Sequence, residues 1–594
     1  VRNRLLLLAI LGSAALLRFT ALGWGLRHPP HIDERLFVEA TGRMLAAGDL
    51  DHRFYEYPGL FVYLLAPILS FFHPPKLGAG AYAAARALVG SFGVLSVFLT
   101  YRLGRAMAGA RVGLLAAALL AVSPVEVRTA HMVRPDVVLE SLLLLCLLAF
   151  RRIGSAAQGD LVSGASIGAA TALKFSAPLI APSYLLRRLL APGFRWQRPL
   201  IALSASLLVF ALLSPYTLIN EARAGRGMWT QIAFHYRERA GEMEYAGTAA
   251  AYGEALIGTL GIPALLLALG GVVIARRAWR DWLPLLALPI AIVAVFSTAT
   301  VRWERFLVPT LGVVCLFAAL AGGALTSRSR WLGAAAMAAA VAVPLWSSLD
   351  YLRAIRRPST RDLTLDWLEA HYGPGTRILM SRSFALGADA RRYEITRVSR
   401  MAGLRLEAGA RDLVITGPGA DRALVSEMKR LYVAEPQTKF SGGRVLVLAP
   451  TEKQRPAWRP LELARARLEA STNPAGLAAL CDGDLASAWR APVAKGAWLE
   501  VTFPQPVRLG RIELIPGAPE EAPRSLRVYV ASDEQPKLRR KAVALGRPPF
   551  AQQVGAQSHV LMLDGVKARV LRIVQSAPRR APWSVAELRI DALE

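Results

Sequence analysis

The feature that most limits what this chain can fold into is how its apolar residues are grouped. They come in blocks. Leu5–Leu17, Leu142–Phe150, Ile201–Leu213, Ile262–Ile274 and Trp331–Trp346 are apolar on every side rather than along one face. A helix with no polar face belongs in lipid or inside a helix bundle. Composition agrees: 54% of the 594 residues are hydrophobic, only 19% are charged, and the mean hydropathy is +0.35. Soluble domains carry more charge than this. The first apolar block is followed by many others, so it reads as a membrane helix and not as a removed leader.

The net charge of +28 would suggest nucleic acid in a soluble protein, but no recognition motif accompanies it. Much of it flanks the apolar blocks, where basic residues fix topology. The clusters are Arg2/Arg4, Arg102/Arg105/Arg111, Arg151/Arg152, Arg187/Arg188/Arg195/Arg198, Arg276/Arg277/Arg280 and Arg328/Arg330. Placing all of them in the cytoplasm threads about 11 membrane helices. They lie near residues 5–24, 81–100, 112–128, 135–150, 161–174, 175–190, 199–214, 254–274, 282–299, 306–325 and 331–347. The N-terminus is then cytoplasmic, and everything after Asp350 lies outside a bacterial-type inner membrane. Residues 58–72, apolar but short and interrupted by Pro67, read as lying in the outer interface beside an amphipathic stretch at 34–47. Three cysteines, two of them in apolar blocks, supply neither a disulfide framework nor a zinc spacing.

Charges collect at the outer ends of these helices. The first outside loop reads His31-Ile32-Asp33-Glu34-Arg35 and then Tyr55-Glu56-Tyr57-Pro58. Asp33 is either a general base for an acceptor hydroxyl or amine, with Glu34 orienting the acceptor or Asp33, or simply the N-cap of the stretch that follows. In the second loop, Arg134 and Asp136 either pair with each other or bind a phosphate and orient a sugar. Lys174 lies in an almost wholly apolar run with no acid near it in sequence. It either snorkels to the surface or meets a lipid phosphate. In Arg302-Trp303-Glu304-Arg305-Phe306, Glu304 can neutralise one arginine while the other stabilises a phosphate leaving group. The outside loop at 215–253 is polar enough to close over a site but carries no clear chemistry. No Walker loop, GxSxG elbow, HExxH or dinucleotide fingerprint is present.

The Asp33-Glu34 pair, the Tyr57-Pro58 entrance, Arg134-x-Asp136, the Gly-rich helix ending in Thr171-Ala172-Leu173-Lys174, and Arg305-Phe306…Pro309 follow one another in an order that resembles glycosyltransferase family 39. That family contains the protein O-mannosyltransferases and the lipid A aminoarabinose transferases, which share the GT-C fold. The resemblance covers about residues 1–350. It implies a polyprenyl-phosphate sugar donor and an inverting single displacement, with no cofactor needed for catalysis. It implies Asp33 as base, Asp136 in support, and Lys174 and Arg305 as phosphate contacts. The acceptor is a protein, lipid or glycan. Phe306 stands where the family has Tyr, and Gly59 where a second Pro is common.

Beyond Asp350 the hydropathy is that of a soluble protein. A helix at 360–371, strands at Arg377–Ser381, Glu394–Val398, Asp412–Thr416 and Arg444–Leu448, and a helix at Ala420–Leu431 suggest a small α/β domain over 355–452. After a Pro- and Arg-rich linker, short alternating strands indicate a β-sandwich over 465–594. The run Cys481-Asp482-Gly483-Asp484…Trp489…Trp498-Leu499-Glu500-Val501, closing on Ala586-Glu587-Leu588, resembles discoidin (factor 5/8 type C) domains. These are jelly rolls, often carbohydrate-binding. That resemblance implies Asp482, Asp484 and Glu587 as candidate ligands of a structural calcium, and core positions for Trp489 and Trp498. The fold class expected is thus a multi-pass α-helical membrane protein of GT-C type, then a small α/β domain, then a β-sandwich. The rival to an enzyme is a non-enzymatic membrane protein presenting a glycan-binding module.

Overall fold

The computed structural model describes residues 1–236, 250–299 and 303–381, apart from 29, 73, 75 and 76. Beyond these it describes 393–398, 413–416, 429–435, 444–449 and 458–593, apart from 485, 493–495, 519–520, 522–525, 542–558 and 576–581. The chain divides into two compact units, Val1–Arg357 and Pro358–Glu594.

The first unit is all helix. Its elements are α1 (Arg2–Phe19), α2 (Ile32–Ala47), α3 (Leu60–Leu69), α4 (Ala79–Ala108), α5 (Ala110–Ala121), α6 (Pro124–Ala130), α7 (Asp136–Phe150), α8 (Ala157–Leu173), α9 (Ala181–Leu190), α10 (Gln197–Leu213), α11 (Pro215–Ile219), α12 (Glu221–Tyr236), α13 (Ala250–Ala275), α14 (Trp279–Ser297), α15 (Val308–Arg328) and α16 (Arg330–Ile355). A helix lies on every segment expected to cross. By length and composition, four helical stretches among the described residues are long and apolar enough to span a membrane, or five if α5 and α6, bent by 61°, count as one. The other expected spans are helical but shorter or more charged; α7 has 15 residues and α8 has 17.

Small residues set the helix contacts. A methyl group at Gly164 or Gly168 of α8 would collide with the backbone of Ala202 and Ser206 on α10. Glycine therefore brings these two backbones together, as is common where the hydrophobic effect cannot drive helices into contact. The bend between α5 and α6 frees carbonyls at the end of α5. Arg18 of α1 donates to Leu120 O (3.3 Å) and Ala121 O (3.0 Å) there, and pairs with Glu126 of α6. A cation at a helix C-terminus is favourable, and here it ties three helices together with both side chains fully buried. At 1.5 Å per residue, the 10-residue α3 is too short to cross. Its Phe61, Leu65 and Leu69 face the core, and Phe61 meets Phe37 of α2 edge-on at 4.9 Å.

In the second unit, α17 (Thr360–His371) begins with a capping box between Ser359 and Asp362. It accompanies a five-stranded sheet of β1 (Arg377–Ser381), β2 (Glu394–Val398), β3 (Leu413–Thr416), β4 (Lys429–Ala434) and β5 (Val445–Ala449), in the order β2-β1-β3-β5-β4. The first three are parallel, while β5 runs antiparallel to both β3 and β4. Most of the helix expected at 420–431 lies outside the described residues, and its end is strand β4. Beyond it, β6 (Trp458–Pro460), β7 (Arg467–Ala470), β8 (Trp489–Ala491), β9 (Trp498–Ile515), β10 (Leu526–Ala531), β11 (Arg539–Lys541), β12 (His559–Gln575), β13 (Trp583–Val585) and β14 (Glu587–Leu593) form a seven-stranded antiparallel sheet and a two-stranded one, β13-β8. Trp489 and Trp583 fill its core, edge-on at 5.1 Å. Trp498 does not join them. It is half-buried beneath the Arg572 guanidinium at 4.3 Å, because its strand position points away from the core residue Leu499.

Candidate active site

The chain enters α2 through His31, which is the N-cap: its Nδ1 accepts the Asp33 N–H at 3.1 Å. This displaces Asp33 from the capping role. The Asp33 carboxylate is left in the first turn, where the helix dipole favours an anion, and it turns toward two arginines far away in sequence. Arg305 Nη1 donates to Asp33 Oδ2 at 2.6 Å, and Arg134 Nε lies 3.0 Å from the same oxygen. Oδ1 meets no donor among the described residues; His31 Nδ1 is 3.8 Å away. Burial alone would raise the Asp33 pKa, but the charges of Arg134 and Arg305 outweigh it and hold the carboxylate below its ordinary value. Burial, then Arg134, also lower the His31 pKa, which favours the neutral ring whose Nδ1 accepts the Asp33 N–H; Arg134 Nη2 lies 3.2 Å from the same nitrogen.

A second pair lies alongside. Asp136 is the first residue of α7, and Lys174 is the extended residue that ends α8. Lys174 Nζ donates to Asp136 Oδ1 at 2.6 Å and sits 5.6 Å over the ring of Phe306, next to Arg305 in sequence. The cation with no acid near it in sequence therefore has one in space. Arg134 and Asp136 do not pair with each other; each is committed to a residue from another segment. The Arg305 guanidinium also rests on Trp303 at 4.0 Å. Trp303, Phe306, Phe234 and His235 form an aromatic wall, with His235 Nδ1 donating to Gln231 O at 2.7 Å. Tyr57 is half-buried near Asp136, Arg305 and Asp33. Burial first, then the Asp136 charge, raise its pKa and keep its hydroxyl protonated.

Two further charged residues have partners far away in sequence. Glu34 is fully buried. Its carboxylate takes Arg86 Nε at 2.7 Å and Nη2 at 2.8 Å, and Oε1 also accepts the Val133 N–H at 3.1 Å. Arg86 Nη1 in turn donates to Leu22 O and Trp24 O. Glu34 is thus a positioning residue that joins the chain beside Asp33 to the chain beside Arg134. Arg86 was legible as a lone arginine inside an apolar helix, which is a functional flag in a membrane segment. Glu304 pairs with Arg128 of α6 at 2.7 Å, and among the described residues no ion pair joins it to Arg305. Arg302 lies outside the described residues.

The three candidate calcium ligands do not converge. Asp482 accepts the Asp484 N–H (2.9 Å) and the Ser487 hydroxyl (2.7 Å), and Asp484 accepts the Ala486 N–H (2.9 Å). These oxygens close turns. Among the described residues no three His, Cys, Asp or Glu side chains are grouped to hold a metal.

What the arrangement offers chemically is a carboxylate with one oxygen that meets no donor among the described residues, beside a surplus of positive charge: Arg134, Arg305 and Lys174 against Asp33 and Asp136. Such a set can activate a hydroxyl and hold a phosphate. Residues 76–219, which include Arg134, Asp136 and Lys174, match the model of the dolichyl-phosphate-mannose-protein mannosyltransferase family. The chain is similar in structure to ArnT from Cupriavidus metallidurans in the apo state, with 15% identity, 74% of this chain and 97% of that chain covered, and a TM-score of 0.50. ArnT from the same organism bound to undecaprenyl phosphate matches with the same identity and coverage and a TM-score of 0.49. A family 32 carbohydrate-binding module of C. perfringens NanJ, in complex with galactose, matches 23% of this chain and 98% of its own, with 13% identity and a TM-score of 0.20. No curated protein matches in sequence. The helical unit shares the GT-C fold of ArnT.

Proposed function

We propose that this protein is a membrane glycosyltransferase that moves a sugar from a polyprenyl-phosphate donor to an acceptor at the outer face of the membrane, by inverting displacement with Asp33 as general base. The observation that carries the reading is the Asp33 carboxylate held by Arg305 and Arg134 at Oδ2, with no donor on Oδ1 among the described residues. The free Oδ1 is the one that takes the acceptor proton. In the resting site the arginines keep Asp33 ionised but weakly basic. A donor phosphate competes for Arg305, Arg134 and Lys174, and as they turn to it Asp33 regains basicity. Base strength then rises when the donor is in place. The same cations stabilise the phosphate as it leaves.

The family match and the fold likeness to ArnT support the donor class. Three side-chain cations at the phosphate supply the charge a metal would bring, so transfer is expected to need no divalent ion. The test compares the parent with Asp33→Asn in proteoliposomes carrying labelled polyprenyl-phosphate sugars and membrane extract. Loss of a base costs about 10²–10⁴-fold, so transfer should fall by that factor in Asp33→Asn and persist in EDTA. Equal rates would remove Asp33 from the chemistry; loss in EDTA would require a bound metal.

A further inference from the structure

Helix α12 carries three distinct faces. Ala224, Gly227, Gln231 and His235, spaced by three and four residues, pack on the protein: Gly227 against the backbone of Tyr55, and His235 against Trp303 and Phe306. About 100° around the axis per residue, Met228, Trp229, Ile232 and Tyr236 form a second stripe, and all four are exposed, Trp229 by 67%. Among the described residues, the Tyr236 hydroxyl is the one polar group of this stripe that is engaged, with Thr298 Oγ1 at 2.9 Å. A third stripe holds Arg223, Arg226 and Thr230, also exposed. Glu221 stands at the start of the helix. A segment read from composition as a polar loop is therefore a helix with a bare apolar side.

We infer that α12 lies in the plane of the outer leaflet, with Met228, Trp229 and Ile232 inserted among the lipids and Arg223 and Arg226 at the headgroups. A packed face, an apolar stripe and a cationic stripe are what an interfacial helix needs, and Trp and Tyr favour this depth. The occupant is lipid, and not a protein partner, because the apolar surface is continuous. The exposed leucines of α10, ending at Leu212, which is 69% exposed, lead through Leu218 and Ile219 of α11 onto the stripe of α12. The exposed apolar surface of α10 thus continues along the chain onto α12, whose opposite, packed face carries His235 to the wall of the site. Taken with the lipid-phosphate donor proposed above, α12 sets the site at headgroup depth, where that donor's phosphate lies.

The test is a depth measurement that does not depend on activity. Full-length protein with Cys481→Ser, whose remaining cysteines Cys146 and Cys315 are buried, receives Trp229→Cys, Ile232→Cys or Arg226→Cys. Each is labelled with an environment-sensitive fluorophore and reconstituted in bilayers containing lipids that bear a nitroxide near the headgroup or near the chain end. An interfacial apolar face sits about 5–10 Å into the boundary. Labels at 229 and 232 should be quenched by the headgroup-proximal nitroxide and shielded from aqueous iodide, while a label at 226 should be open to iodide. Quenching of all three by iodide alone would overturn the inference, as would protection of 229 and 232 from both quenchers, which marks a covering protein. If Trp229→Cys fails to fold, Ile232→Cys carries the same comparison. A transfer-dead protein that passes this test refutes the proposed function and leaves the inference standing.

Discussion

Replacing Lys174 with Met removes the cation facing Asp136 while keeping most of the side chain's length. The two groups are 2.6 Å apart, with side-chain exposures of 13% and 4%. At that distance, with an effective dielectric constant near 20, their attraction is about 6 kcal/mol before desolvation is counted. The net cost of leaving a buried partner unpaired is about 3–5 kcal/mol. Lys174→Met should therefore lose roughly that much stability, read as denaturant or thermal unfolding in detergent. Lys174→Met combined with Asp136→Asn removes both charges and should recover most of the loss, since a neutral amide is cheaper to bury than an unpaired carboxylate. Transfer should stay absent in the double variant, because the phosphate contact is still missing. A double variant no more stable than Lys174→Met would refute the pairing argument. A stable and active double variant would refute the role of Lys174 at the phosphate.

Two further outcomes follow from the same geometry. Arg305→Lys keeps the charge but loses the planar fork and the stacking on Trp303; donor KM should rise about tenfold, and an unchanged KM would remove Arg305 from donor binding. The Asp33 pKa is lowered from its ordinary 3.8. Its ion pairs should therefore contribute fully above pH 3.8 and be lost only as pH falls through the lower native value. An acid-unfolding curve of Asp33→Asn that keeps the parent's steepness below pH 3.8 would contradict this.

Some of the site was legible because it is local. Lys174 stands out as an ammonium in an apolar run, and Asp33 as a carboxylate just beyond a membrane helix. Strands Arg377–Ser381 and Glu394–Val398 fall where alternation put them. His31 as a cap and Arg128 as the partner of Glu304 were not legible, since His is an uncommon cap and nothing in sequence links residue 128 to 304.

The apolar blocks and the basic clusters, read along the chain, determine a helical membrane unit with charges gathered at its helix ends, followed by a less apolar part built on strands. That follows from chemistry each residue carries alone: transfer to lipid and the helical period. Which charge meets which was decided only by tertiary packing. Sequence neighbours suggested Arg134 with Asp136. The fold instead joins Asp33 to Arg305, Asp136 to Lys174 and Glu34 to Arg86. A helix fixes the direction of a side chain about its own axis, but the partner depends on which helix packs opposite and at what depth. In a buried site each charge must find an opposite charge that the fold brings within hydrogen-bond reach.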